Sequence, residues 1–242
     1  MTLDTLPTRR DEAYRYSDID AMAAMWPLPA AQAITVPAGG AWRRAITVEA
    51  GGVTRIDLLL GAGATGRLHL LHSGGFARLE LTVTLHEGAD FVLNAAQIAG
   101  GNDRLEIIST VRHVEPDATS RQLVRAIAGD AATVTYLGKV EVARGAQGTD
   151  SGQDVKAMLL SRQATANAVP QLEIFAYDVA CAHGCAIGEL DQTARFYLQS
   201  RGLPPPEAKR LLLEAFVSGV FDDADDADAL KAAALHRLGQ LV

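Results

Sequence analysis

Cysteine is almost missing from this chain: 242 residues hold two. Two cysteines cannot build a disulfide framework at this length. Aromatic residues are scarce at 5%, whereas glycine is plentiful at 22 residues. Positive charge is not in excess, since the formal net charge is −7. That balance argues against a general affinity for nucleic acid or for anionic membranes. No apolar run reaches the ~18 residues a membrane span needs. The opening "MTLDTLPTRRDEAYRYSDID" has no apolar signal core, which predicts a cytoplasmic protein. The GxSxG and HExxH motifs are absent too. Hydrophobic residues at 48% and charged residues at 21% are ordinary for a soluble folded protein. The length suits one large domain, or one domain with a small appendage.

From about 34 to 190 the chain shows short alternating runs and almost no helical periodicity. "VTRIDLLL", "GRLHLLHS", "ARLELTVTLHE", "DRLEIISTVRH" and "ATVTYLGKVEVA" read as strands with one buried face. Turn signals punctuate them at Pro37, Glu49, Gly61, His72, His86, Glu115, Ala128 and Ala143, mostly about 11 to 14 residues apart. Such spacing predicts a β-sandwich or a β-solenoid with at least two strands per coil. The turns resemble one another, Gly or Asp beside small residues. Stacked coils repeat their corners, so the solenoid is the better reading.

The pattern changes after 190. "DQTARFYLQSRG" reads as a short helix, with Asp191 as N-cap and Gly202 as stop. "PPPEAKRLLLEAFVSGVF" opens with prolines and carries an apolar stripe, Ala208, Leu211, Leu212, Ala215 and Phe216. A third helix closes the chain, with acidic residues at its N-terminal end. The expected organisation is therefore a short N-terminal segment (1–33), a β-core (34–190) and a helical domain (191–242). The helices would cover the open end of the solenoid or present a docking surface.

Several motifs are decoys. "GAGATG" at 61–66 matches GxGxxG, but the strand-like "RLHLLHS" follows where a dinucleotide site needs a helix. Arg67 and Leu68 stand where a Walker loop needs Lys and Ser or Thr. His69 and His72 are three apart on a strand and so point to opposite faces. The carboxylates are scattered, which leaves a second function class open: a β-helical carbohydrate-active enzyme using surface carboxylates.

Both cysteines fall in "CAHGC", Cys181 to Cys185, with His183 between them. On a strand all three point the same way. Cys, His and Cys on one face make a half-site for a thiophilic metal or an iron–sulfur species. The other reading is packing, because buried cysteines serve as small hydrophobes.

The stretch "PQLEIFAYDVACAHGCAIGELDQTARFYLQSRGLPPPEAKRLLLEAF" resembles the C-terminal segment of the SufB/SufD family, the scaffold subunits of the SUF iron–sulfur cluster assembly machinery. The matching positions are Pro170 to Ile174, Asp178, Cys181, His183, Gly184, Gly188, Phe196 to Leu198, Ser200 to Gly202, Glu207 and Ala208. "LPTRRDEAYRYSDI", Leu6 to Ile19, is similar to the family's N-terminal motif, with Tyr14 where Trp is usual. "AHG" instead of "EHE", and Val155 in place of a SufB cysteine, resemble the SufD branch. Cys185 departs from the family, which usually has Ala there. Most of the family's N-terminal helical region is missing between Trp26 and Ile34.

The resemblance implies a right-handed parallel β-helix with C-terminal helices. It implies a non-enzymatic scaffold that binds the SufC ATPase through those helices, along the stripe noted above, and pairs with a SufB homologue or with itself. It places cluster or sulfur chemistry at Cys181 and His183, which would ligate metal only as a transient iron–sulfur cluster within the complex, with no permanently bound cofactor. Cys185 is a possible additional ligand on position alone.

Overall fold

The structure is a computed structural model that describes residues 6–49 and 51–242. The first five residues of the opening stretch, and residue 50 in the turn at Glu49, lie outside the described residues.

The alternating runs form strands β1 (Gln32–Val36), β2 (Ala41–Val48), β3 (Gly52–Leu60), β4 (Thr65–His72), β5 (Phe76–Leu85) and β6 (Asp90–Ala99). They continue as β7 (Arg104–His113), β8 (Thr119–Ala128), β9 (Thr133–Val142), β10 (Thr149–Leu159), β11 (Thr165–Ile174) and β12 (Val179–Glu189). Odd strands make one sheet in the order β1-β3-β5-β7-β9-β11, and even strands make the other. The ladders within each sheet are parallel, as at β5–β7 and β6–β8. Each coil gives one strand to each sheet, which is a parallel β-solenoid rather than a sandwich of antiparallel hairpins.

The similar corners have a mechanical origin. Gly39, Gly63, Gly88, Asp117 and Gly148 occupy the same corner of successive coils, all with positive φ. The Gly63 N–H donates to the Glu87 carbonyl, and the Gly88 N–H to that of Pro116. Glycine takes this left-handed backbone without steric cost, and Asp tolerates it better than most residues. "GAGATG" is one of these corners, between β3 and β4.

Inward positions of the early and middle coils are apolar and closed. Leu68, Leu70, Leu79, Leu81, Phe91 and Leu93 form one cluster, each at most 2% exposed. Burying each such side chain stabilises the fold by about 1.5–3 kcal/mol.

The N-terminal segment straps the outer face of the odd sheet. Asp18 caps the short helix α1 (Ile19–Ala23) by accepting from the Ala21 N–H. The fully buried Arg78 pairs with Glu106 and Glu80, donates to Ser17 Oγ and the Ala13 carbonyl, and lies over the Tyr14 ring.

Three longer helices follow β12: α2 (Gln192–Ser200), α3 (Pro205–Val217) and α4 (Ala227–Gly239), with a 3₁₀ turn at Ser218–Phe221. Asp191 caps α2 through the Thr193 and Ala194 amides. The expectation that they cover the open solenoid end is wrong. They lie on the outer face of the even sheet, where Leu213, Val217, Phe221, Leu230 and Leu238 pack on Leu71, Ala96, Ile98 and Ile127. Those outward rows form a continuous apolar surface that needs cover more than the end does. Strand β12 stays largely exposed, and β11 is mostly half-buried.

The apolar stripe of α3 divides between a packed side and a solvent side. Ala208 is buried, and Leu212 and Phe216 are partly buried against the sheet, but Leu211 and Ala215 face solvent. Leu213 and Val217 anchor the helix in their place. The stripe follows one side of the helix, whereas the sheet touches it further round.

Candidate functional site: the open terminal coil

The site is built by the register of β12 on β10. Cys181 lies beside Ser151, His183 beside Gln153, and Cys185 beside Val155. Ser151, Gln153 and Val155 are inward and buried. Cys181, His183 and Cys185 therefore share the inward face of the last coil, as alternation predicts. Cys185 Sγ lies 3.7 Å from the Ala168 carbonyl of β11, across the interior.

The coil has no further rung above it. Cys181 is half-buried, while His183 and Cys185 are exposed. Burial raises the Cys181 thiol pKa, and the nearby Asp150 carboxylate raises it further. The Ser151 backbone hydrogen bond and the Arg121 guanidinium act the other way. The balance favours the thiol until a metal or an added charge takes its proton.

The expected three-ligand half-site does not close within one chain. Among the described residues no three His, Cys, Asp or Glu side chains converge on a metal position. Strand geometry is the reason. Residues two apart are about 6.7 Å from one another, so the two cysteines are about 13 Å apart.

Beneath this face the interior turns polar. The cells that hold Phe91 and Leu93 in β6 hold Ser120 and Gln122 in β8 and Ser151 and Gln153 in β10. Ser120 Oγ lies 2.9 Å from Ser151 Oγ and 2.9 Å from His113 Nε2. Tyr136 donates to Gln122 Oε1 at 3.0 Å and accepts from Gln153 Nε2 at 2.9 Å. Gln122 Nε2 and Gln153 Oε1 find no protein partner, which suits ordered water in this column. Sequence reading missed the column. Its signal was present in "SRQLV", where polar residues occupy the inward positions of a strand.

Exposed apolar side chains flank β12 in sequence on both sides. Phe175, Tyr177, Phe196 and Tyr197 are all more than half exposed, and Ile187 is 47% exposed. On the outer side a trough of about 400 Å³ runs along Arg121, Gly152, Asp154, Ala182 and Gly184. The other flagged histidines fall elsewhere. His69 points outward, 2.8 Å from Asp223 at the start of the loop before α4, and His72 is buried in the interior.

A family model described as the SUF system FeS cluster assembly SufBD core domain matches residues 52–216. The chain belongs to the SufB/SufD family. That match runs from β3 through β12 into α3, so it contains the terminal coil. The iron–sulfur cluster assembly protein SufD of Escherichia coli is 32% identical over 154 residues, 64% of this chain and 36% of that protein. The chloroplastic protein ABCI7 of Arabidopsis thaliana is 36% identical over 138 residues, 57% of this chain and 29% of its own length. An iron–sulfur cluster assembly SufBD family protein of Synechocystis is 35% identical over 128 residues, 53% of this chain and 28% of its own. The chain thus aligns with about a third of each of these relatives. The SufD-like reading of the SufB/SufD family holds. Among the described residues no helix is long and apolar enough to cross a membrane.

Proposed function

We propose that this chain is a SufD-type scaffold subunit, non-enzymatic and cytoplasmic, in which Cys181 and His183 contribute to a nascent iron–sulfur cluster. One observation carries the reading: the Cys-x-His face lies inward on the last rung of the solenoid, whose outer edge is unpaired. An edge strand of this length presents unpaired N–H and C=O groups, so it invites another strand. A partner joined there would cover the exposed apolar residues and supply the ligands one chain lacks. The cluster is cargo, held while the complex is assembled. The partner is a SufB homologue or a second copy.

The carboxylates suit this reading better than the carbohydrate-active one. Asp90, Asp150 and Asp154 pair with Arg67, Arg121 and Arg125 along the outer even sheet, and Glu106 is buried against Arg78. Glycoside cleavage needs two carboxyl groups free to flank one bond, whereas these acids are engaged in cross-rung ion pairs.

The SufC ATPase would dock on the solvent side of the helices. Leu211, Ala215 and Leu235 line a groove of about 400 Å³ between α3 and α4, with Glu214 and Lys231 at its rim. Leu211→Asp adds a charge there without disturbing the packed face, and it should abolish SufC capture. Removal of the helices would expose Ile98 and Ile127, so truncation tests folding more than docking.

The test of the scaffold reading is iron and sulfide content in the complex co-expressed with its SUF partners. His183→Ala should assemble normally and carry far less cluster. Full cluster loading of that variant would reduce the CAHGC strand to packing.

A further inference from the structure

Tyr136 occupies space that its own strand leaves vacant. Gly138 follows two residues later on the inward face of β9, and a Cβ added there would meet the Tyr136 hydroxyl at 2.1 Å. The missing side chain lets the phenol reach across the interior toward β8 and β10. There it donates to Gln122 Oε1 at 3.0 Å and accepts from Gln153 Nε2 at 2.9 Å. Gln153 Nε2 also donates to the Gly138 carbonyl at 3.1 Å. A carbonyl only accepts, so this bond fixes which end of the Gln153 amide is which. The amide NH₂ is fully engaged, and Oε1 has no partner among the described residues. Gln153 is 3% exposed. A buried acceptor without a donor is costly, so such an atom calls for an explanation.

The register supplies a donor. Gln153 stands next to His183 on the ladder of β10 and β12, both on the inward face. Neighbouring strands are about 4.8 Å apart, so side chains in one column stack on each other. The column runs Leu93, Gln122, Gln153, His183. Of the three inward β10 residues beneath the Cys-x-His face, Ser151 is engaged with Ser120 Oγ and Val155 is apolar. Gln153 is the one with an acceptor to spare. His183 is exposed, so its ring can turn onto that acceptor. A neutral imidazole carries one N–H donor and one bare nitrogen. Nδ1 is the nitrogen nearer the backbone, and Nε2 is at the tip of the ring.

We propose that Gln153 is a positioning residue for His183: its Oε1 accepts the imidazole Nδ1–H, which turns the ring inward and leaves the lone pair on Nε2. Tyr136 and Gly138 act one step further back, by holding the Gln153 amide with its oxygen free. An acceptor on one ring nitrogen orients the other toward a ligand, and it fixes the tautomer. Unconstrained histidine favours the Nε2–H form, so the bond reverses an ordinary preference. The inference rests on the scaffold reading for what Nε2 would hold, but the tautomer is a property of the isolated chain.

The test reads the ring in the purified full chain by NMR correlation of the imidazole nitrogens with the ring C–H protons. The pH is about 8.5, where ordinary histidine is neutral. The His183→Gln spectrum assigns the signal among the six histidines. The parent should show His183 predominantly as the Nδ1–H tautomer. Gln153→Leu should return it to the Nε2–H form of free histidine. Tyr136→Phe keeps Oε1 but loosens the amide, and it should give a mixture of the two. Circular dichroism checks that each variant is folded; should Gln153→Leu fail to fold, the parent and Tyr136→Phe decide. The proposal is overturned if the parent shows mainly Nε2–H, which would mean that water or Gln122 Nε2 satisfies Gln153. It is equally overturned if a folded Gln153→Leu, or Tyr136→Phe, keeps the parental tautomer unchanged. Cluster content of the His183→Ala complex tests the scaffold reading separately: an Nε2–H parent together with cluster loss in that variant would remove this inference and leave the scaffold standing.

Discussion

The middle and the end of this solenoid follow one repeat and have opposite surfaces. In the middle coils every strand has two neighbours, and the interior is mainly aliphatic, with Leu, Ile, Val, Ala and Phe91 buried. In the last coil the same alternation points Cys181, His183 and Cys185 into a space with no next rung. What is core in one coil becomes a ligand face in another because stacking stops. The polar rungs between, Ser120 with Gln122 and Ser151 with Gln153, mark the change before the end is reached.

The comparison is sharpest in stability. Phe91→Ala removes a fully buried ring from the middle and should cost about 3–5 kcal/mol, read from the denaturant midpoint. Ile187→Ala at the open end should cost less than about 1 kcal/mol in the isolated chain, since much of that side chain already meets water. Equal losses would mean that the end is packed by something the fold does not show.

The helices repeat the contrast at smaller scale. Leu213→Ala should cost about 2–4 kcal/mol because Leu213 is fully buried against the sheet. Leu211→Ala, on the solvent side of the same helix, should stay within about 0.5 kcal/mol. Thermal melts of the two variants check this directly.

The interior also holds two neutral histidines, which give the closed coils a pH signature. Burial pulls His72 down to about 3 and His113 down to about 4. Unfolded histidine titrates near 6.5, so below that pH the unfolded chain takes up protons that the folded interior refuses. Stability is therefore complete above about pH 6.5 and falls toward pH 4, by up to about 1.4 kcal/mol per pH unit for each histidine. Denaturant midpoints measured between pH 7 and 4.5 should fall with pH, and His72→Gln should flatten the slope. An unchanged slope would mean that His72 is protonated or hydrated in the folded state.

His183→Ala should barely change stability, by less than about 0.5 kcal/mol, because the ring is exposed on the open rung. A loss comparable with Phe91→Ala would make His183 a core residue after all.

Much of this contrast was legible in the sequence. Strand alternation and repeated Gly or Asp corners report local backbone demands, so the solenoid and the shared face of Cys181, His183 and Cys185 could be read directly. The place of the helices could not. "RLLLEAFV" shows an apolar helix, but which side meets the sheet depends on Ile98 and Ile127, more than 80 residues earlier. For the same reason the split of the stripe between a packed side and a solvent side is invisible in the sequence, and Leu213 escapes notice as the helix's anchor. The Arg78–Glu106–Ser17 clasp joins distant segments and has no local signature. The resemblance located Cys181 and His183 in the family pattern, and the register of β12 on β10 showed that their rung is open.

The central claim is that the last coil is left incomplete in the single chain and is completed by a partner. Amide hydrogen exchange along β12, compared between the isolated chain at low concentration and the assembled complex, tests it most directly. The account predicts fast exchange of the outward-edge amides between Val179 and Ile187 in the isolated chain. It predicts strong protection of the same amides in the complex, with β6 and β8 unchanged. Identical exchange of β12 in both states would contradict it.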